Sequence, residues 1–383
     1  MTQFTLTPEQ QEFAARVRAL AANELKPVAD AGQPGQVNRE LVKALGSLGL
    51  LARLFPGLNE GTLSREAAAT DLCLLRESLA TQSTEAETAL ALQGLGSYPI
   101  LQSGPEPLVR KWLPAVAAGD AVAAFALSEP SAGSDAAALT LSADRDGSGW
   151  RLTGVKTWIS NAPEADFYTV FARTTAAAGA RGVSAFVVPA DRPGLTGSHL
   201  DMLSPHPIGS LSFDAVPVSD ADLLGDLDGG FRVAMRTLDL FRPSVGAFAV
   251  GMATAALDAS VAYAGSRLAF GRPLKEQQAV SHLLADMATR VQAARLLVYS
   301  AAAAYDSGTA ARLAGQAAMA KLFATETAQF VVDAAVQIHG ARALQRGHLL
   351  EHLYREVRAP RIYEGTSEIQ RTIIARELYR SKL

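Results

Sequence analysis

Three short stretches hold residues whose types and spacing suit chemistry. The first is Ala124-Phe125-Ala126-Leu127-Ser128-Glu129-Pro130-Ser131-Ala132-Gly133-Ser134-Asp135. A strand-like start runs into a Pro/Gly turn lined with hydroxyls, whose backbone N–H groups and Ser128 could bond the oxygens and nitrogens of a planar heterocycle. Taken alone, an ordinary turn is the simpler reading. In the second stretch, Val155-Lys156-Thr157-Trp158-Ile159-Ser160-Asn161, an indole stands two residues before a hydroxyl. Trp158 suits packing on a flat ring whose edge Ser160 would bond, although a core aromatic beside a solvated serine would look the same. The third is Arg361-Ile362-Tyr363-Glu364-Gly365-Thr366-Ser367-Glu368-Ile369-Gln370-Arg371. Ser367 to Gln370 fits a capping box, predicting a helix with Ile369, Ile373, Ile374 and Leu378 on its apolar face. Glu364 then sits in the turn ahead of that helix, and Gly365 allows another molecule close to the backbone. A carboxylate held among Ile and Tyr side chains is what a general base for C–H abstraction requires. Taken alone, a solvated Glu or one paired with Arg361 is the simpler reading.

Other chemistries find no support. Gly94-Leu95-Gly96 lacks the third glycine and the preceding strand of a dinucleotide loop, and no phosphate loop occurs. The six histidines are scattered; His348 and His352 stand four apart without a third ligand, so no metal site is expected. Cys73, the single cysteine, lies in an apolar run and reads as a buried, inert thiol. With 35 basic and 38 acidic residues well mixed, no basic block marks a nucleic-acid surface. Neither a secretion-type start nor an apolar run of about 18 residues is evident, so no membrane span and a cytoplasmic location are expected. The terminal Ser381-Lys382-Leu383 matches a peroxisomal address, meaningful only in a eukaryote, and also reads as the plain end of a basic helix.

These residues need elements to position them. At 383 residues, 49% hydrophobic, the chain is globular and long enough for two or three packed units. Residues 1–118 read as helices, with Thr7 as N-cap and Pro8 at the first helical position. Phe13, Val17 and Leu20 recur at helical spacing, and breaks fall at Phe55-Pro56-Gly57 and Tyr98-Pro99. Residues 119–228 hold short β-branched or aromatic runs at 150–155, 167–171, 183–188 and 211–216, which predict a small antiparallel sheet or barrel. Residues 229–383 return to helical period over 231–264, 276–306, 310–340 and 367–380, a helical bundle. The fold class is α+β, mostly α.

In this order and at these separations, the three stretches resemble the signatures of the acyl-CoA dehydrogenase family, and the resemblance covers essentially the whole chain. It implies an N-terminal helical domain, a middle β-barrel domain and a C-terminal four-helix bundle, assembled as a homotetramer, with FAD between barrel and bundle. Phe125, Leu127, Ser128, Trp158 and Ser160 would face the isoalloxazine ring, with Gly133 and Ser134 beside the flavin and the thioester. Arg267 and Phe270, in Ser266-Arg267-Leu268-Ala269-Phe270-Gly271, together with Gln278, resemble the segment that reaches a neighbouring subunit's FAD. Gln337, Gly340, Thr366 and Glu368 resemble further FAD contacts. Ser134, Arg242, Tyr363 and Gly365 would lie near the acyl-CoA substrate. The implied reaction has Glu364 remove the pro-R α-proton while hydride leaves Cβ for flavin N5, giving a trans-2-enoyl-CoA. The resemblance assigns the developing enolate charge to the Glu364 N–H and a ribityl hydroxyl, and an electron-transfer flavoprotein as acceptor. Relatives that carry the base on a bundle helix place it where this chain has Phe241, which cannot take a proton.

Two departures stand out. Gly340-Ala341-Arg342 replaces two adjacent glycines, and Leu203-Ser204-Pro205-His206-Pro207-Ile208-Gly209 replaces a Gly/Arg-rich turn. Rival readings are an acyl-CoA oxidase that uses oxygen, usually longer by a domain, and a catalytically idle scaffold. Flavin monooxygenases of this fold lack the Tyr-Glu-Gly-Thr glutamate.

Overall fold

The computed structural model describes residues 6–58, 61–308 and 313–380, so the Ser381-Lys382-Leu383 tripeptide lies outside the described residues. Helices come first: α1 (Pro8–Leu20), α2 (Lys26–Asp30), α3 (Arg39–Ser47), α4 (Ala69–Ala80), α5 (Thr84–Ser103) and α6 (Glu106–Ala117). The start of α1 follows the sequence expectation. The Thr7 hydroxyl accepts from Gln10 N at 3.2 Å, and the Gln10 side chain accepts from Thr7 N at 3.0 Å. The break expected at Tyr98-Pro99 does not occur, because α5 runs through Pro99. A proline deprives the helix of a single hydrogen bond, while Tyr98, Ile100 and Leu101 around it are fully buried, and burial decides the outcome.

Strands follow: β1 (Ala123–Ala126), β2 (Ser142–Asp146), β3 (Gly149–Ser160), β4 (Phe167–Arg173), β5 (Val183–Pro189), β6 (Leu195–His199) and β7 (Ile208–Ser219). They form one curled sheet in the order β1-β4-β2-β3-β7-β6, with β5 on β4. It is not wholly antiparallel, since β4 runs parallel to both β1 and β2. Long helices return with α7 (Gly230–Ser266), α8 (Gln278–Asp306), α9 (Leu313–His339), α10 (Leu349–Glu356) and α11 (Ser367–Arg380). A small hairpin of β8 (Leu268–Ala269) and β9 (Arg272–Pro273) separates α7 from α8. By length and mean hydropathy α7 resembles a membrane span, contrary to expectation, yet 67% of its apolar window is buried inside the protein, as in a core helix.

The chain forms two compact units. One comprises Leu25–Ala68 and Thr88–Leu238, the other Met1–Glu24, Ala69–Glu87 and Asp239–Leu383. In the sheet-bearing unit, β4 and β5 are buried at nearly every position, which is why they read as continuous apolar runs. Helix α5 lies close to the sheet at Gly96, where an added Cβ would stand 2.7 Å from Ala124 N. In the helical unit, Ala317, Ala318, Ala320, Ala324 and Ala328 let α9 approach its neighbours closely. The Asp306 carboxylate at the end of α8 accepts from Ala69 N and Thr70 N at 2.6 and 2.9 Å, capping α4. Cys73 is fully buried on α4, and burial pushes its thiol pKa up, as expected of an inert group.

Candidate active site

Glu364 occupies a tight turn between a short helical turn, Ala359–Arg361, and α11. Its φ is +52°, in the left-handed region that costs a non-glycine residue on the order of 1 kcal/mol or more. Four hydrogen bonds hold the turn. Arg242 Nε donates to Glu364 O at 3.3 Å, Gln370 Nε2 to Glu364 O at 3.1 Å and Gly365 O at 2.9 Å, and Lys321 Nζ to Gly365 O at 2.7 Å. Gly365 has φ +92°, and a Cβ there would stand 2.6 Å from Gln370 Nε2, so only glycine fits. The capping box expected over Ser367–Gln370 is not formed. Thr366 is the cap, its hydroxyl accepting from Ile369 N at 3.3 Å, while Ser367 donates to Glu326 at 2.6 Å and Gln370 turns inward to the Glu364 turn.

The Glu364 Oε2 atom is shielded from solvent and has no hydrogen-bond partner among the described residues. Burial pushes its pKa up, Arg76, Lys321 and Arg242 pull it back, and the net direction is upward. Three cations fail to reverse the shift because each is engaged elsewhere. Buried Arg76 pairs with Glu87 and donates to the Ser244 hydroxyl at 2.7 Å. Arg242 pairs with Asp239 at 2.8 Å, and Lys321, its own pKa pushed down to about 8 by burial, donates to a carbonyl. Burial likewise pushes Tyr363 well up and Glu356 up to about 8, the latter helped by Glu85 and Glu87. Phe241 is buried and offers no second base.

In the sheet-bearing unit, the fold joins the first two stretches into one platform. Thr157 N donates to Ser128 O at 3.0 Å, and Asn161 Nδ2 to Ala123 O at 2.8 Å. Beneath them Lys156, fully buried, donates to Leu127 O at 3.0 Å and pairs with Glu129 at 2.8 Å. Glu129 also accepts from Thr140 N, the Thr140 hydroxyl and Leu141 N. Burial pushes Lys156 down to about 8; Glu129, which burial alone would raise, is held below its ordinary value by Lys156 and those backbone donors. Above this scaffold β3 bulges between Lys156 and Ile159, and Trp158 adopts φ +56° with 51% of its surface exposed. An exposed indole in a bulged strand, flanked by the half-buried Ser128 and Ser160, is a donor set that fits the ring of a flavin. Leu127 is buried here, and Phe125 packs on Phe171 with ring centroids 4.9 Å apart. Gly133 and Ser134 lie exposed in the following loop, and a Cβ on Gly133 would meet nothing within 4 Å.

The remaining predicted contacts occupy exposed positions in the helical unit. Phe270 tips the β8–β9 hairpin, 97% exposed with φ +53°, and Arg267 stands exposed at its base. Gln278 opens α8, Gln337 lies in the last turn of α9, and Gly340 ends that helix with φ +65°. No contact among the described residues ties these five to the Glu364 turn, whereas Thr366 and Glu368 adjoin it. Sequence reading assigned no role to Lys321, Arg76, Glu87, Lys156 or His206, and read Gln370 only as part of a capping box. Only Lys156, a charge at an inward position of an apolar strand, gave a signal.

Comparison with known proteins follows the same order. Family models for the acyl-CoA dehydrogenase N-terminal, middle and C-terminal domains match residues 7–120, 124–216 and 228–379. The Mycobacterium tuberculosis protein named Probable acyl-CoA dehydrogenase FadE25 is 38% identical over 381 residues, 98% of this chain and 97% of that protein. The structure of butyryl-CoA dehydrogenase from Megasphaera elsdenii superposes with a TM-score of 0.90 at 32% identity, covering 99% of this chain and 100% of that one. A chain in the structure reported for the electron transferring flavoprotein of Acidaminococcus fermentans superposes with a TM-score of 0.92 at 34% identity, covering 99% and 100%. With three domain models matched in sequence order and relatives aligned end to end, the chain belongs to the acyl-CoA dehydrogenase family, FAD-dependent oxidoreductases acting on acyl-CoA.

Proposed function

We propose that the protein oxidises the Cα–Cβ bond of an acyl-CoA thioester to the trans-2-enoyl-CoA, with Glu364 as the base. The observation that carries this reading is the Glu364 carboxylate itself, raised in pKa by burial and with Oε2 without a hydrogen-bond partner among the described residues. A raised pKa makes a carboxylate a stronger base. The α C–H is a very weak acid, so the thioester oxygen needs a donor as charge develops on it. The Glu364 N–H, which meets no acceptor among the described residues, can serve. Arg242, Gln370 and Lys321 fix the turn that aims both groups, and Gly365 leaves room beside it. Phe125, Leu127, Ser128, Gly133, Ser134, Trp158 and Ser160 would hold the ring of FAD, with Arg267, Phe270, Gln278, Gln337, Gly340, Thr366 and Glu368 as its other contacts. When bound, FAD supplies the hydride acceptor.

The three matched models support reading the chain as segments 1–118, 119–228 and 229–383. Its electron acceptor is taken to be an electron-transfer flavoprotein, and its assembly a homotetramer in the cytoplasm. The test is anaerobic mixing with acyl-CoAs of different length, followed by loss of the flavin absorption band. Glu364→Gln should keep the band and slow its bleaching by about 10²–10⁴. Near-normal bleaching by that variant would remove Glu364 from the mechanism.

A further inference from the structure

The segment Leu203–Gly209, where the chain departs from the family pattern, is fastened to the end of β3. Pro207 O accepts from Asn161 N at 2.8 Å, and Pro205 O accepts from Gly35 N at 3.2 Å. Gly209 presses so closely that a Cβ there would stand 2.5 Å from Ala162 O. Between the two prolines, whose rings fix φ on either side, His206 places Nε2 3.0 Å from the Ser160 hydroxyl. Burial pushes the imidazole pKa down to about 4, so the ring is neutral near pH 7. A neutral imidazole carries one N–H and one bare nitrogen, and either can engage a hydroxyl.

We infer that His206 is a positioning residue for the flavin, clamping the Ser160 hydroxyl in one rotamer so that its remaining hydrogen-bonding capacity points at the ring edge. The inference rests on the reading of Ser160 as a flavin contact. A free serine hydroxyl samples three staggered wells, and holding it in place before the ligand arrives removes an ordering cost from binding. No residue of the usual Gly/Arg-rich turn is needed for this, which gives the departure at 203–209 a role. Any loss from removing the clamp should be seen only through Ser160.

A double-mutant cycle on the FAD-loaded protein tests this. His206→Ala, Ser160→Ala and the double variant are compared by FAD release on dilution, read as recovered free-flavin fluorescence, and by the position of the bound flavin's visible band. The net contribution of one hydrogen bond predicts about threefold to tenfold faster loss of FAD and a shifted band for each single variant. The double variant should be no worse than either single one. Full additivity overturns the clamp while leaving Ser160 a flavin contact. A Ser160→Ala variant with unchanged release and band overturns the Ser160 reading, and the clamp with it. His206→Gln guards against a collapsed loop, since its amide can still reach the hydroxyl. Rescue by Gln supports the clamp, and a folded Gln variant that behaves like Ala overturns it.

Discussion

The charge on Glu364 is set by a contest between burial and three cations that are themselves committed to other partners. A base must be ionised to act, and its pKa in the folded protein stands above the ordinary 4.5. Flavin reduction by acyl-CoA should therefore rise with pH through that elevated value and level off above it. Stopped-flow rates across the acid range check this, and a flat profile would show that another step is being measured. Lys321 lowers the Glu364 pKa, so Lys321→Met should move the rising limb to higher pH and, at pH values on that limb, cost about tenfold in rate for each unit moved. The same substitution removes the donor to Gly365 O. A vertical drop without a shift of the limb would assign Lys321 to holding the turn alone. Little of this was legible in the sequence. Glu364 announced itself through its neighbours in the chain, but Arg76, Glu87 and Lys321 reach it only through folding, no local spacing marks them, and the spacing of Gln370 pointed to a helix cap instead.

At the scale of elements, legibility followed burial. Strands β3, β4, β5 and β7 carry the β-branched and aromatic runs that bury against a core, and their positions matched the sequence reading. Strands β2 and β6 are mostly exposed and polar, so they carry no period-two apolar signal and passed as loop. The capping box at Ser367 misled because Gln370 has a better use in the turn. Strand β3 and the turn that follows β1 are joined by Lys156 and Glu129, a pair with side chains 0% and 2% exposed. Lys156→Met strands a buried carboxylate and should cost about 3–5 kcal/mol in urea unfolding, with weakened FAD retention. Adding Glu129→Leu should recover only part of that loss, because Thr140 N and Leu141 N would then lose their acceptor. Full recovery would mean that the pair contributes nothing beyond its own charge balance.

For the whole molecule, the hairpin that presents Arg267 and Phe270 bears on assembly. A guanidinium is a fixed charge with five donors suited to a pyrophosphate, and a phenylalanine 97% exposed finds no cover among the described residues of its own chain. If a second copy supplies these groups to FAD, binding and assembly are linked. Arg267→Ala should then both lose FAD and dissociate on dilution. Sedimentation with and without FAD is the check, and a stable, flavin-loaded monomer would refute the shared site. The interleaved composition of the two units bears on how the molecule is made. Residues 25–68 and 88–238 complete one unit as soon as they are synthesised, but α1 and α4 belong to a unit whose later part begins at Asp239, within α7. Helix α4, buried at Leu72, Cys73, Leu74, Leu75 and Leu79, must wait for α8 and its capping Asp306 while the ribosome translates everything between. During that interval the nascent chain carries an apolar helix with only α1 of its packing partners in place, the kind of surface that engages chaperones. Synonymous codon changes that slow translation within 239–306 would thus lower the yield of folded protein while leaving the finished enzyme's stability unchanged.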